Sequence, residues 1–335
     1  MSDSAAPAPV LRLTELIEGY WTTQVIRAAA QLRLPDLLGS ESLRPVDLAQ
    51  RALCHAGSLN RLLRALTSIG LCEALKDGRY ALTALGALLR SDAAGGKHAR
   101  ALFAGSTLYR AFESLPDMVR TGGRAAVPAD FEKSSPEKLA IFQAAMIESS
   151  REAVSSAVLV YDFSVFKRVL DVGGGFGGAL AGLLQRFGDL TGDVLDLPHA
   201  RQGAEAFLAG SGLGSRTRFL AGDFFAAVPQ GYDCYLMKFI LHDWDDAQAA
   251  AILGSVRSAA APGSRLIVLE RLVPDPVADL PAHRAVLQAD MAMMAWGGQA
   301  RTEREYRELL RRAGFELGRV VPTASTFTVL EAAPT

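Results

Sequence analysis

The spacing of hydrophobic positions changes near residue 160, and the change predicts two different architectures. Before that point apolar residues recur three or four positions apart, as in Leu13–Leu38, which is typical of helices with one apolar face. After it, short apolar runs alternate with helical patterns, which favours a parallel, doubly wound α/β sheet. We predict its strands at Val169–Val172, Gly192–Leu197, Arg216–Leu220, Cys234–Ile240, Leu266–Glu270 and Thr326–Leu330.

The N-terminal pattern predicts short helices followed by a hairpin. One helix starts near Pro45, and another covers Ser58–Leu66 with Ser58 as its N-cap. The turn of the hairpin falls at Asp77-Gly78. This order of elements indicates a winged helix, a module that serves either DNA binding or dimerisation. The apolar face favours dimerisation, with three residues near a partner chain: Leu16, Tyr20 and Trp21.

These patterns divide the chain into three parts. We expect a winged-helix-like dimerisation domain over residues 1–96 and a Rossmann-like domain over residues 161–335. Residues 97–160 are predicted to be connecting helices that contribute to the substrate pocket.

Composition and charge indicate which kinds of partner the protein has. The chain has 335 residues, is 50% apolar and carries a net charge of −1, so nothing in its charge favours nucleic acid or anionic membranes. Its three cysteines show no metal or disulfide spacing, which suits a reducing compartment. The N-terminus lacks the basic start and apolar core of a signal peptide, and no apolar run is long enough to span a bilayer. We therefore expect a cytoplasmic protein without nucleic-acid or membrane partners.

A glycine-rich motif follows the first strand of the predicted sheet. In Asp171-Val-Gly-Gly-Gly-Phe-Gly-Gly178, Gly173 and Gly175 allow close backbone approach to a ligand, and the following helix start presents free N–H groups. Asp171 stands where a cationic amino group would need a carboxylate, and Asp196 stands where ribose hydroxyls would bind. The motif predicts a nucleotide-cofactor pocket. Two alternatives to this interpretation stay open. The glycines serve only a tight turn, or the motif belongs to an NAD-dependent oxidoreductase.

A histidine comes directly after the fourth strand. An unperturbed imidazole titrates near pH 6.5, so His242 can take a proton from a substrate hydroxyl at neutral pH. The alternative is a histidine that only caps the next helix. The neighbouring acids Asp243, Asp245 and Asp246 suit a helix start, and their spacing gives little support for a metal site.

Several ordered motifs together resemble one enzyme family over almost the whole chain. They are the glycine motif, Leu195-Asp-Leu-Pro-His199, Gly222-Asp-Phe-Phe225, Lys238-Phe-Ile-Leu-His-Asp-Trp244, Gly297-Gly-Gln-Ala-Arg-Thr302 and Ala313-Gly-Phe315. The sequence is similar to the S-adenosylmethionine-dependent O-methyltransferases of the caffeic acid, hydroxyneurosporene and acetylserotonin type. The resemblance implies a metal-independent homodimer, a sheet whose last strand is antiparallel, and methyl transfer to a small aromatic or polyketide-like hydroxyl in secondary metabolism.

The resemblance also implies roles for individual residues. In the catalytic step, His242 is the general base and Glu270 orients it, with Asp243 beside them. The implied cofactor-binding residues are Ser150, Asp171, Gly173, Gly175, Asp196, Leu197, Asp223, Phe224 and Lys238. The implied acceptor-binding residues are Phe142, Met146, Phe239, Met293 and Met294, although Phe142 and Met146 lie four apart and suit a helix core equally well.

One position departs from the family pattern. Ala300 occupies a place where many members have a glutamate that flanks the histidine. Either Glu270 or Asp243 is enough to position His242, or the base is weakened. N-methylation, hydroxylation and decarboxylation on the same scaffold therefore stay open as alternatives, as does a DNA-binding regulator.

Overall fold

The computed structural model describes residues 8–125 and 135–335. These residues form two compact units, one from residues 8–110 with Ala140–Glu148 and the other from residues 111–125 and 135–139 with Ser149–Thr335. The domain limits expected at residues 96 and 160 stay a prediction.

The first unit is mainly helical. Its elements are α1 (Ala8–Glu18), α2 (Tyr20–Gln31), α3 (Leu34–Leu38), α4 (Pro45–Arg51), α5 (Ala56–Ser68), β1 (Cys72–Ala74), β2 (Tyr80–Leu82), α6 (Ala84–Ala87), α7 (His98–Phe103), a π-helical turn (Ala104–Leu108) and α8 (Tyr109–Ala111), whose last residue belongs to the second unit. The first unit encloses a core of mostly leucine side chains, among them Leu34, Leu48 and Leu63.

The predicted hairpin is confirmed, whereas one predicted cap is wrong. The strands β1 and β2 pair antiparallel, and Gly78 has the positive φ of +80° that their turn requires. Ser58 lies inside α5, and His55 is the N-cap because its Nδ1 accepts the N–H of Ser58. The apolar stretch Leu13–Leu38 is divided into three helices, and the first break falls at Gly19.

The second unit alternates strands and helices. After α9 (Leu115–Thr121) and α10 (Pro136–Ala157), part of which belongs to the first unit, its elements are β3 (Arg168–Val172), α11 (Gly178–Arg186), β4 (Thr191–Asp196), α12 (Arg201–Gly210), β5 (Thr217–Ala221), β6 (Cys234–Lys238), α13 (Asp246–Ala259), β7 (Arg265–Glu270), α14 (Pro281–Met294), α15 (Glu303–Arg312), β8 (Phe315–Pro322) and β9 (Thr328–Pro334).

These strands form one sheet in the order β5-β4-β3-β6-β7-β9-β8. The first five run parallel, and β9 runs antiparallel to both of its neighbours, as expected for the last strand. The edge strand β8 was not predicted, because only Phe315 and Leu317 along it are fully buried. The Rossmann-like α/β fold class is confirmed, together with the helical N-terminal part.

The parallel strands place their carboxyl ends along one edge of the sheet. Two apolar layers cover its faces, with Leu180 and Leu183 of α11 in one layer and Ile252 and Val256 of α13 in the other. Most of the predicted catalytic and cofactor residues lie at or shortly after the ends of β3, β4, β5, β6 and β7, so the topology brings them to this edge. Within residues 8–125 and 135–335, no helix is both long and apolar enough to cross a membrane.

Candidate active site

The loop between β3 and α11 depends on glycine for its backbone conformation. Gly173, Gly175 and Gly177 have φ values of +72°, +57° and +80°, which residues with side chains rarely adopt. A Cβ atom at Gly173 would also lie 2.5 Å from Cδ1 of Ile240. The loop therefore needs glycine for its conformation and for the close packing around it.

Asp196 holds this loop from the end of β4. Its Oδ2 accepts the N–H of Gly175 at 2.7 Å, and its Oδ1 accepts the N–H of Leu197 at 2.7 Å. Burial raises the pKa of the Asp196 carboxyl, although the two N–H groups oppose that shift. Because a carboxylate has about four acceptor positions, Asp196 retains capacity for the hydroxyls of a ribose.

Asp171 supports the loop from inside the protein. The residue is only 1% exposed, and its Oδ2 accepts the N–H of Leu180 in the first turn of α11 at 3.3 Å. A Cβ atom at Gly174 would lie 2.6 Å from the same oxygen, so the loop packs directly on this carboxylate. Burial raises the pKa of Asp171 to about 7. Direct contact of Asp171 with a ligand amino group stays a prediction.

The structure brings some of the other predicted cofactor residues to the loop. Leu197 follows Asp196 and is 38% exposed, and the Phe224 ring lies against Gly173, 3.2 Å from where a Cβ would stand. Asp223 is exposed and accepts the N–H of Phe225 at 2.8 Å. Ser150 is buried on α10, and its contact with a cofactor stays a prediction.

Lys238 is a buried cation at the end of β6. Its Nζ lies 4.8 Å from the centre of the Phe239 ring, and the residue is 9% exposed. Burial lowers the pKa of Lys238 to about 8, although the Asp171 and Glu270 carboxylates oppose that shift. The ammonium group therefore remains mostly protonated at neutral pH.

His242 meets a buried carboxylate. It lies in a single 3₁₀ turn, Leu241–Asp243, two residues after the end of β6, and its side chain is 11% exposed. Its Nδ1 lies 3.0 Å from Oε2 of Glu270, the last residue of β7, whose side chain is fully buried. The pairing of parallel strands β6 and β7 therefore brings together the two residues that the sequence proposed as base and orienting acid.

Charge at this position favours the protonated imidazole. Burial by itself lowers the pKa of His242, but the Glu270 and Asp243 carboxylates more than offset it, so the pKa is raised above its ordinary value. Oδ1 of Asp243 lies 3.4 Å from Nε2, yet this side chain is 47% exposed and water screens its charge. Glu270 is therefore the main partner of the imidazole.

Phe239 packs on the imidazole and has an unusual backbone. The rings of Phe239 and His242 are stacked, with their centroids 4.6 Å apart. The ring of Phe327 also stacks on Phe239, with a centroid distance of 4.9 Å. The φ of Phe239 is +57°, a conformation that costs a bulky residue about 1 kcal/mol or more. The guanidinium of Arg271 stands 4.8 Å from the Phe239 ring centre. Phe239 therefore contacts the predicted base itself, and its contact with an acceptor stays a prediction.

The other predicted acceptor residues belong to both units. Met293 and Met294 are partly exposed on α14, and Met294 packs with Trp296 on a small cluster that includes Met118. Phe142 and Met146 are partly exposed on the portion of α10 in the first unit, where the Phe142 ring lies 5.6 Å from that of Phe103. The acceptor role of these four residues stays a prediction.

Sequence reasoning missed two residues near His242. Arg301 is only 2% exposed and donates to backbone carbonyls on both sides of the histidine. In the sequence, the only indication of a role for Arg301 is its place in the motif Gly297-Gly-Gln-Ala-Arg-Thr302. The motif does not show that the charge of Arg301 is buried. Phe327 was assigned only as part of a strand, and it precedes β9 instead.

An open, mostly parallel sheet with a glycine loop and an acid at the next strand end is typical of a nucleotide-cofactor-binding α/β enzyme. Comparison with known proteins gives the family. Residues 14–92 match the O-methyltransferase dimerisation domain and residues 112–316 match the O-methyltransferase domain, so the chain belongs to the S-adenosylmethionine-dependent O-methyltransferases. This result favours methyl transfer over the NAD-dependent oxidoreductase and the DNA-binding regulator.

Three relatives illustrate the family. Phenazine O-methyltransferase of Lysobacter antibioticus is 34% identical, covering 96% of this chain and 95% of its own. O-demethylpuromycin-O-methyltransferase of Streptomyces alboniger is 37% identical, covering 96% and 89%. A crystal structure of an O-methyltransferase from neocarzinostatin biosynthesis, with S-adenosylmethionine and 2-hydroxy-5-methyl naphthoic acid, is 32% identical, with a TM-score of 0.76 and coverage of 94% and 96%.

S-adenosylmethionine is the cofactor of this enzyme, and the observed residues fit it. The positive-φ glycines leave the backbone open to close approach, Asp196 has free acceptor positions for a diol, and Phe224 offers an aromatic surface next to Gly173. Among residues 8–125 and 135–335, no cluster of three or more His, Cys, Asp or Glu side chains is arranged to hold a metal ion.

Proposed function

We propose that this enzyme methylates a phenolic hydroxyl of a small planar aromatic acceptor, with His242 as the general base. The observation that carries the proposal is the 3.0 Å approach of the buried Glu270 carboxylate to Nδ1 of His242. We place the imidazole proton on Nδ1, on the side of this carboxylate, so the lone pair is on Nε2, and Nε2 is then the atom that accepts the acceptor's proton.

A general base is needed because a phenol loses its proton only at a pH well above neutral. A phenol with a pKa near 10 is almost entirely protonated at pH 7. When bound, S-adenosylmethionine supplies an electrophilic methyl group on a positively charged sulfur. As the new oxygen–carbon bond forms and the sulfur–carbon bond breaks, Nε2 of His242 takes the hydroxyl proton and the buried charge of Glu270 stabilises the imidazolium. General-base catalysis of this kind contributes roughly 10² to 10⁴ in rate.

We assign the cofactor to the glycine loop at the end of β3. Gly173 and Gly175 would lie along it, Asp196 with Leu197 would hold its ribose, and Asp223 with Phe224 would hold its adenine. The contacts of Asp196 with Gly175 and of Phe224 with Gly173 support this assignment. The remaining proposed contacts come from three other residues: Ser150, Asp171 and Lys238.

We infer that the acceptor is a planar aromatic compound of secondary metabolism. The relatives act on a phenazine and on O-demethylpuromycin, and the related crystal structure holds a hydroxynaphthoic acid. The apolar, partly exposed side chains suit such a ring system, and methionine adapts to irregular ligands. The proposed acceptor contacts are Phe142, Met146, Phe239, Met293 and Met294.

We also infer a homodimer. The dimerisation-domain match covers α2, and in the single chain Leu16, Tyr20 and Trp21 are exposed by 57%, 58% and 36%. Exposed apolar side chains on two successive helices are typical of an interface. A molar mass in solution equal to that of one chain would contradict this inference.

The test of the base is His242→Gln, assayed with labelled S-adenosylmethionine on a panel of phenols, hydroxynaphthoates and the matching aromatic amines. We expect turnover to fall at least about a hundredfold while calorimetry gives unchanged cofactor affinity. His55→Gln replaces a histidine of the first unit and serves as the matched control. Near-normal turnover of the His242 variant would refute the base assignment, and methylation of the amines alone would refute the acceptor class.

A further inference from the structure

The segment Gly298–Arg301 lies against the backbone of the His242 turn. Nη1 of Arg301 donates to the carbonyl of Leu241 at 2.7 Å, and its Nη2 donates to the carbonyl of Trp244 at 2.8 Å. One guanidinium thus holds the chain immediately before His242 and shortly after it. Arg301 is 2% exposed, so these bonds are shielded from water.

Two further contacts fix the carbonyl of the histidine itself. The N–H of Gln299 donates to the carbonyl of His242 at 2.8 Å. A Cβ atom at Gly298 would lie 2.1 Å from the same carbonyl oxygen, so the two backbones are packed as closely as glycine allows. The carbonyls of residues 241, 242 and 244 are therefore all contacted from one segment.

Asp246 orients the guanidinium. Its Oδ1 accepts from Nε of Arg301 at 2.9 Å and from Nε2 of Gln299 at 2.8 Å. Arg301 is thereby held in one plane, and its three donating nitrogens all have partners. A lysine ammonium could not span the two carbonyls, because it is a single point charge without the planar fork of arginine.

The turn itself has little regular structure to hold it. It is one 3₁₀ turn, whose hydrogen bonds have poorer geometry than those of an α-helix, and it follows Phe239 in a strained conformation. At Ala300 the side chain has no group that can reach the imidazole. The external bonds are therefore the main restraint on where the His242 backbone lies.

We propose that Arg301 is a positioning residue for the methyl-transfer reaction: it fixes the His242 turn so that the imidazole stays against Glu270 with Nε2 directed at the acceptor. This proposal rests on the proposed base role of His242. It assigns to the Gly297-Gly-Gln-Ala-Arg-Thr302 motif the support of the histidine backbone, a role that does not need a side-chain acid at position 300.

The principal variant is Arg301→Lys, with Arg216→Lys as the matched control. Arg216 also donates to three backbone carbonyls, those of Leu184, Phe187 and Leu190, but outside the site. We expect Arg301→Lys to lower kcat at least about tenfold with cofactor affinity unchanged, and the NMR titration of the His242 imidazole to move to lower pH. Arg216→Lys should lower only the thermal midpoint. Unchanged kcat and unchanged titration in Arg301→Lys would overturn the proposal.

A double-variant cycle separates positioning from general damage. In a His242→Gln background, Arg301→Lys should change the residual turnover less than about threefold, because there is no imidazole left to position. A tenfold loss that persists in that background would show a merely structural role and overturn the proposal. If His242→Gln alone keeps full turnover, the base assignment fails, and the His242 titration then decides whether Arg301 positions the ring.

A milder variant covers the outcome in which Arg301→Lys does not fold. Asp246→Asn keeps the shape of the side chain and removes the charge that orients the guanidinium. We expect a loss in kcat of about twofold to fivefold and a titration of His242 displaced in the same direction. Wild-type values for both would count against the proposal.

Discussion

The carboxyl edge of the sheet holds two regions that are built in different ways. The glycine loop takes its conformation from positive-φ glycines and is held by the nearby Asp196 side chain, which accepts the N–H of Gly175 from 21 residues away. The His242 turn is fixed by partners farther along the chain, from Glu270 and from Arg301, whose bonds to the turn span up to 60 residues. One region presents backbone to a ligand, whereas the other presents a single side chain.

This difference predicts different consequences of substitution. Under the proposed assignment of the cofactor to the loop, a change in the loop should appear in cofactor affinity. A change in the support of the turn moves an imidazole that acts only during the reaction, so it should appear in turnover. The contrast between the two regions would fail if substitutions in the loop lowered turnover alone, or if substitutions in the support of the turn lowered cofactor affinity alone.

The largest effect is expected from Gly298→Ala. The added Cβ would lie 2.1 Å from the His242 carbonyl oxygen, a backbone atom that cannot rotate away. The turn must move, and a displacement of about 1 Å can cost about a hundredfold in rate. We expect kcat to fall by at least that factor while the cofactor affinity measured by calorimetry stays the same. Gly254→Ala on α13, where a Cβ meets nothing within 4 Å, is the control and should keep full turnover.

A smaller effect, in the other region, is expected from Gly173→Ala. Alanine at φ +72° is strained by roughly 1–2 kcal/mol, and its Cβ would press on Ile240. We expect the dissociation constant for S-adenosylmethionine to rise about tenfold, with kcat at saturating cofactor changed less than about threefold. Gly212→Ala has φ +74° and open space around it, so it reproduces the strain away from the site. Equal affinity losses in both variants would show that the loop is not the cofactor site.

The two regions also differ in how much of them the sequence reveals. Gly173, Asp196, His242 and Glu270 each lie at or just past the end of a predicted strand, and parallel strands end at a common edge, so their convergence could be predicted. The positive φ of Phe239 and the burial of Arg301 could not, because both result from tertiary contacts. Sequence periodicity reports which residues are apolar, and it does not report where a cation is enclosed by carbonyls.

The same limit explains two of the differences in secondary structure. The edge strand β8 buries only two side chains, so its pattern lacks the apolar run that indicated the central strands. Ser58 has the residue type of an N-cap, but the helix starts one turn earlier, where the ring nitrogen of His55 accepts the N–H. Residue type predicts that a cap exists nearby, whereas the exact boundary depends on how the helix packs.

The smallest of the three effects is expected from Glu270→Gln, which tests only the charge beside His242. A general base must be neutral, so activity rises as pH rises through the pKa of His242, and the raised pKa places this acidic limb above about pH 6.5. Removal of the Glu270 charge takes away the largest influence that opposes burial, so the pKa of His242 falls and the limb moves to lower pH. At pH 7 more imidazole is then neutral, which opposes the loss from a weaker base and an unsupported imidazolium. We therefore expect only a few-fold decrease in turnover at pH 7 and a clear displacement of the acidic limb in the kcat/KM profile.

Glu308→Gln changes an exposed carboxylate on α15 and is the control. A profile of Glu270→Gln that coincides with the wild type would mean that Glu270 does not set the charge of His242, and the contrast between the two regions would then rest on the backbone support of the turn alone.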